Sequence, residues 1–159
     1  MMPKIKLIVM DVDGTMTDGT INIGPNGELF KSFDIKDGSG ITDAADRFGT
    51  LFAVITGRSS EIVARRCTEL KITEIHQGVT DKKAVLMNIL DKYRIAPEDS
   101  GYIGDDLIDI ECMKYVGFPM APADAVPEVI AIAKYVSKKN AGHGAIRDCL
   151  DHLKQIGEL

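Results

Sequence analysis

The chain has no apolar run approaching the roughly 20 residues that a membrane helix requires, which argues against a membrane span. It has no excess of base: 19 Lys+Arg stand against 24 Asp+Glu, for a net charge of −5. A nucleic-acid surface usually shows clustered basic excess, so none is expected, although a local basic pocket for an anionic substrate stays open. Only three cysteines occur, Cys67, Cys112 and Cys149, far apart and without a CxxC pair. They read as free thiols in a reducing cytoplasm. The three histidines, His76, His143 and His152, show no HxH or HExxH spacing, which argues against zinc. Repeats, linkers and low-complexity tracts are also missing. The N-terminal MMPKIKLIVMDVDG lacks the extended apolar region of a secretory leader, because acids follow its short apolar stretch at once; it reads as a buried strand.

What is present, in 159 residues, is the material of one ordinary domain, with 45% hydrophobic and 27% charged residues. Strand-like runs alternate with helical patterns. KIKLIVMD (4–11) and TLFAVIT (50–56) are near-continuous apolar segments, as expected of strands covered on both faces. EIHQ (74–77), GYIG (101–104), FPMA (118–121) and YVS (135–137) are shorter candidates. Helices are expected over Ser39–Phe48, from a cap at Ser59 or Ser60 through Leu70, and over Lys82–Tyr93, Leu107–Tyr115, Val126–Ala133 and Ala145–Ile156. This order predicts an α/β fold with a doubly wound parallel sheet. Residues 20–34 break the alternation. Two short strands joined at Gly24-Pro25-Asn26-Gly27 read as a β-hairpin flap overhanging the C-terminal edge of the sheet.

In open α/β sheets ligands bind outside the carboxyl ends of the strands, and the chemistry-bearing residues fall there. The first strand runs into Asp11-Val12-Asp13-Gly14-Thr15, the second core strand into Thr56-Gly57-Arg58, and GYIG into Asp105 and Asp106, with Asp109 close behind. Lys82 opens a helix. Carboxylates crowded at one edge repel unless a cation compensates them. Asp11, Asp13 and Asp105 therefore suggest a hard, oxygen-ligated metal, with Mg²⁺ favoured because no nitrogen or sulfur ligand accompanies them. Lys82 and the Thr56 hydroxyl supply the point charge and the hydrogen-bond donor that a phosphoryl group needs. Other motifs fail on their residues. An EF-hand loop from Asp11 would need Gly and Glu where Met16 and Asn22 stand, no P-loop occurs, and Asp43 occupies the third glycine position of a dinucleotide fingerprint.

Together, DVDGTMTDG (11–19), TGR (56–58), Lys82 and GDDLID (104–109) resemble the four motifs of the haloacid dehalogenase superfamily of phosphatases. FDIKDGSGI (33–41), EIVARRCTELKI (61–72), HQGVTDKKA (76–84), APEDSGYIGDDLID (96–109) and NAGHGAIRD (140–148) resemble the 3-deoxy-D-manno-octulosonate 8-phosphate (Kdo-8-phosphate) phosphatases. The resemblance implies Asp11 as nucleophile and Asp13 as general acid/base. It implies Mg²⁺ held by Asp11, the Asp13 main-chain carbonyl and Asp105, and phosphate bound at Thr56 and Lys82. Substrate contacts are implied at Asp13, Lys82, Arg58, Arg66 and the hairpin-exit segment Asp34-Ile35-Lys36-Asp37-Gly38. Thr15 stands where these phosphatases usually carry Val, and Thr42 where they often carry a substrate-facing Arg.

Thr56 follows Asp13 by 43 positions, and Lys82 follows Thr56 by 26, too few in either gap for a cap domain. Only the hairpin remains to cover the site. A lone hairpin is marginally stable, so hairpins from several subunits are expected to pack together, and the resemblance implies a homotetramer. The expectation is therefore a cytoplasmic, Mg²⁺-dependent hydrolase of a small phosphorylated sugar acid. Nine-carbon nonulosonate 9-phosphates are the nearest alternative substrates; those phosphatases tend to carry an acid where Arg58 stands. A non-catalytic sugar-phosphate-binding relative and a capless phosphoprotein phosphatase are alternatives of other classes.

Overall fold

β1 (Leu7–Met10) is buried along its whole length and lies in the middle of the sheet. The computed structural model describes residues 4–159, so the first three residues of the N-terminal segment lie outside the described residues. After β1 come the hairpin strands β2 (Asn22–Gly24) and β3 (Gly27–Phe30), then α1 (Ile35–Phe48), β4 (Leu51–Ile55), α2 (Glu61–Glu69), β5 (Glu74–His76) and α3 (Lys82–Tyr93). The second half runs through β6 (Ser100–Ile103), α4 (Ile110–Tyr115), β7 (Phe118–Ala121), α5 (Pro127–Ile132), β8 (Tyr135–Val136) and α6 (Ala145–Gln155). Six strands form one sheet in the order β5-β4-β1-β6-β7-β8, parallel throughout, as the strand–helix alternation predicts. β2 and β3 pair only with each other, antiparallel, joined through Pro25 and Asn26.

The two-residue period of β1 divides the core. Ile8 and Met10 face one apolar layer, built with Ile41 and Ala44 of α1, Val63 and Cys67 of α2, and α6. Leu7 and Val9 face the other, with Leu86 and Ile89 of α3, Cys112 and Met113 of α4, and Val129 of α5. α6 shows the helical logic plainly: Ile146, Cys149, Leu150 and Leu153 recur at i, i+3, i+4, i+7 and are all fully buried. Removing a large apolar side chain from water in this way stabilises by about 1.5–3 kcal/mol each. No helix among the described residues is long and apolar enough to cross a membrane.

Three local expectations are corrected. α1 begins at Ile35 rather than Ser39, because the Asp34 carboxylate caps it, accepting from the main-chain N–H groups of Lys36 (2.7 Å) and Asp37 (3.1 Å). The hairpin-exit segment 34–38 thus opens α1. Gly38 masked that start; a Cβ there would lie 2.5 Å from Nη2 of Arg66, so α1 and α2 approach closely at this point. Ser60 does stand at the N-cap of α2, but its hydroxyl makes no capping bond and goes elsewhere. Leu107–Tyr115 is not one helix: a 3₁₀ turn over Leu107–Asp109 precedes α4.

Candidate active site

Strand order reverses between β1 and β6, since the chain proceeds outward through β4 and β5 on one side and through β7 and β8 on the other. The crevice at such a reversal is where open α/β sheets bind ligands. Asp11 leaves β1 beside Ile103, to whose carbonyl its N–H donates (3.2 Å), and Asp105 lies two residues beyond β6. One wide turn over Val12–Met16, closed by the Thr17 N–H on the Val12 carbonyl (3.0 Å), brings the following residues back over the strand ends. Gly14 permits it, with φ at +87°; a Cβ there would sit 2.0 Å from Oδ2 of Asp105. Thr15 closes the arrangement, its hydroxyl donating to Oδ1 of Asp105 (3.0 Å).

Lys82, the first residue of α3, projects into the same crevice with 5% exposure. Its ammonium lies 2.9 Å from Oδ1 of Asp11 and 2.9 Å from Oδ1 of Asp109. Burial works against that charge, but Asp109 and Asp11 outweigh it and hold the Lys82 pKa above its ordinary value. Asp109, fully buried, is occupied on both oxygens. Oδ1 accepts from Lys82 and from the Tyr102 hydroxyl (2.7 Å), and Oδ2 from the N–H groups of Asp105 (3.0 Å) and Asp106 (3.3 Å).

Oxygens of Asp11, Asp105 and Asp109 all lie within 4.8 Å of one another. One ammonium against three carboxylates leaves two negative charges uncompensated. Burial and the repulsion of Asp109 accordingly push Asp11 up to about 6, against the pull of Lys82. Burial, then Asp11 and Asp109, push Asp105 up to about 8. This donor set fits Mg²⁺: its charge deficit matches a divalent cation, and its ligands are hard oxygens. Asp109, with its lone pairs spent on four donors, suits a role as support, leaving Asp11 and Asp105 to face the ion.

A cavity of about 180 Å³ opens beside the acids, lined by Asp11, Asp13, Thr56, Gly57, Arg58, Asp106 and Ile108. Thr56, buried at the end of β4, is fixed by its N–H on the His76 carbonyl (2.9 Å) and by the Val79 N–H on its own carbonyl (3.1 Å). Nε of Arg58 stands 3.8 Å from Oδ2 of Asp13. The structure thus brings Asp11, Asp13, Thr56, Arg58, Lys82 and Asp105 to one place.

It does not bring every expected residue there. Asp34, Asp37, Gly38 and Arg66 line a different, small recess of about 10 Å³ with Met16, Phe33, Ile41, Leu70 and Ile146. In it Oδ2 of Asp37 and Nε of Arg66 are buried without a hydrogen-bond partner among the described residues. Burial pushes Asp37 up to about 6, although the Arg147 N–H donates to its Oδ1 (2.9 Å). Ile35 is 78% exposed and Lys36 is also exposed, so neither packs into the core. Thr42 turns inward along its own helix, its hydroxyl donating to the carbonyls of Gly38 and Ser39 (3.2 Å each).

Asp109 stands in the sequence among the acids after β6, three residues beyond Asp106, but with no role assigned to it there. Lys31 carried no signal. It follows β3 on the flap, its side chain is 2% exposed, and its ammonium reaches Oδ1 of Asp13 (2.6 Å) and Oε2 of Glu28 (3.1 Å). Burial opposes its charge, yet the bonds to Asp13 and Glu28 prevail and raise its pKa.

The chain is similar to known proteins in sequence and in fold. The family model for haloacid dehalogenase-like hydrolases matches residues 28–148. The chain is 44% identical over 150 residues to the 3-deoxy-D-manno-octulosonate 8-phosphate phosphatase of Escherichia coli K12, covering 94% of this chain and 79% of that protein. The crystal structure of the Yersinia pestis phosphatase of the same name superimposes with a TM-score of 0.93 at 38% identity, covering 98% of this chain and 83% of that one. The Moraxella catarrhalis phosphatase, solved with a magnesium ion, a phosphate ion and Kdo, superimposes with a TM-score of 0.90 at 38% identity, covering 96% and 87%. With its acids at the β1/β6 reversal, its buried lysine and these relatives, the chain belongs to the haloacid dehalogenase-like hydrolases and, within them, to the 3-deoxy-D-manno-octulosonate 8-phosphate phosphatase family.

Proposed function

We propose that this chain hydrolyses 3-deoxy-D-manno-octulosonate 8-phosphate to Kdo and phosphate, in the making of lipopolysaccharide sugar, using Mg²⁺ and an aspartyl-phosphate on Asp11. The observation that carries the reading is the under-compensated cluster of Asp11, Asp105 and Asp109 around Lys82, opening onto a cavity that also holds Asp13, Thr56 and Arg58. Asp11, Asp105 and the main-chain carbonyl of Asp13 would hold Mg²⁺, which screens the repulsion between a carboxylate nucleophile and a phosphate dianion. Asp11 attacks phosphorus, and the sugar's C8 oxygen leaves with a proton from Asp13. Asp13, now a carboxylate, takes a proton from the water that attacks phosphorus in the second step, releasing phosphate and restoring Asp11. Lys82 neutralises charge building on the phosphoryl oxygens, and Thr56 donates to one of them. Arg58 offers a forked donor to the sugar-acid carboxylate.

Phosphate release from Kdo-8-phosphate, compared by kcat/KM with nonulosonate 9-phosphates and a phosphoprotein, with and without Mg²⁺, tests this. The expected result is metal-dependent turnover with the eight-carbon substrate preferred; a preference for a nine-carbon substrate or for the phosphoprotein would overturn it.

We further read residues 1–159 as a single phosphatase core domain with its hairpin flap at about 20–34, working as a homotetramer in the cytoplasm. Ile23 (66% exposed), Leu29 (62%) and Phe30 (53%) on the hairpin, with Ile35 beside it, make an apolar surface suited to packing against other copies. The three cysteines are free and buried, which suits a reducing compartment. Gel filtration at micromolar concentration is expected to show the tetramer for the wild type and smaller species for Ile23→Lys/Leu29→Lys; a wild-type monomer would refute the assembly.

A further inference from the structure

At its exit the flap rests on the core through Phe33, but its two strands do not: Ile23, Leu29 and Phe30 are exposed, and β2 and β3 pair with no strand of the main sheet. Two polar ties hold the strands instead. The Ser60 hydroxyl, unused as a helix cap, donates to Oε1 of Glu28 (2.5 Å), and Lys31 bridges Oε2 of Glu28 and Oδ1 of Asp13. Ser60 is itself held by its N–H on Oε1 of Gln77 (2.7 Å). The charge of a lysine whose side chain is 2% exposed is tolerated because two carboxylates compensate it. Lifting the flap would take Lys31 away from Asp13 and leave that carboxylate with Arg58 alone, at 3.8 Å.

We propose that Lys31 is a positioning residue for Asp13: its ion pair selects the carboxylate oxygen that serves the leaving group and makes docking of the flap and orientation of Asp13 a single event. Oδ1 is engaged by Lys31, which leaves Oδ2, on the side of Arg58, to serve the leaving group. When the bond from phosphorus to the leaving oxygen breaks, the general acid's proton passes from Oδ2 to that oxygen, and Lys31 holds the carboxylate left behind. The help lies in orientation: a carboxyl group held by one oxygen presents the other at a fixed place when the transfer occurs. The tie is mutual: an Asp13 that cannot pair releases the flap. This inference rests on the reading of Asp13 as the general acid, and the measurements below separate the two.

Lys31→Met and Lys31→Arg are to be assayed on two phosphates of similar size and no sugar contacts, phenyl phosphate and 4-nitrophenyl phosphate. Their kcat/KM reports the transfer to Asp11 and not the later water step. Lys31→Met should lose about 10²-fold on phenyl phosphate, whose leaving group needs the proton, and less than about fivefold on 4-nitrophenyl phosphate. Lys31→Arg should recover most of the loss. Equal losses on both substrates, no loss, or no rescue by arginine would overturn the proposal. Independently of turnover, amide hydrogen exchange over the hairpin should rise roughly fivefold in Lys31→Met and in Asp13→Asn, with no further rise in the double variant. Additive rises would break the proposed coupling. If the wild type releases no phosphate from any of these compounds, the reading of function fails, while the exchange cycle still decides the flap tie.

Discussion

Asp11→Asn is expected to lower kcat for phosphate release by at least about 10⁴-fold, because the amide cannot carry the nucleophilic charge that attacks phosphorus. The fold should survive. Asp11 is 4% exposed and bonded to Lys82, but the replaced group keeps its shape and an oxygen that can accept from that ammonium. The substitution also removes one of three crowded negative charges, the one that burial and Asp109 already push up to about 6. The variant should therefore give an unchanged circular dichroism spectrum, and in the metal-free state a melting temperature no lower than the wild type's at pH 8. Activity above about a hundredth of wild type would remove Asp11 as the nucleophile.

Asp105→Asn should have the opposite effects on stability in the two metal states. Asp105 is pushed up to about 8 by burial, then by Asp11 and Asp109, from its ordinary 3.8. Between those values the folded metal-free protein holds a proton that the unfolded chain does not, so this group's contribution is fully present below about pH 4 and fades as pH rises toward 8. The asparagine variant lacks that penalty. In EDTA it should melt above the wild type by roughly 6–12 °C at pH 8, corresponding to about 3 kcal/mol, and the gain should shrink as pH falls toward 5. Saturating Mg²⁺ should reverse the order at pH 8, raising the wild-type melting temperature and hardly moving the variant's. A wild-type melting temperature flat from pH 5 to 8 in EDTA, and indifferent to Mg²⁺, would show that these acids do not form the metal centre.

Much of the fold was legible in the chain because the relevant forces act locally. The apolar run through Leu7–Met10, the helical recurrence of Ile146, Cys149, Leu150 and Leu153, and the turn at Pro25 and Asn26 each encode their backbone within a few residues. The start of α1 was not legible, because the Asp34 cap is followed by Gly38 and Gly40, residues of low helix propensity kept where α1 meets Arg66 and Arg147.

The site divides along the same line. The sequence by itself determined the residue types and their places at strand ends: the acids after β1 and β6, the threonine after β4, and the lysine opening α3. Only the tertiary structure decided which of them are free to act. Asp109 is spent on Lys82, 27 positions away, and on three other donors; Thr15 is tied to Asp105 across 90 positions; and Lys31 comes down from the flap onto Asp13, 18 positions back. Arg66, an implied substrate contact, faces a recess apart from Asp11, Asp13 and Asp105. A carboxylate's strength and partner depend on the charges and solvent around it, and those are set by residues that meet only when the sheet closes and the flap docks.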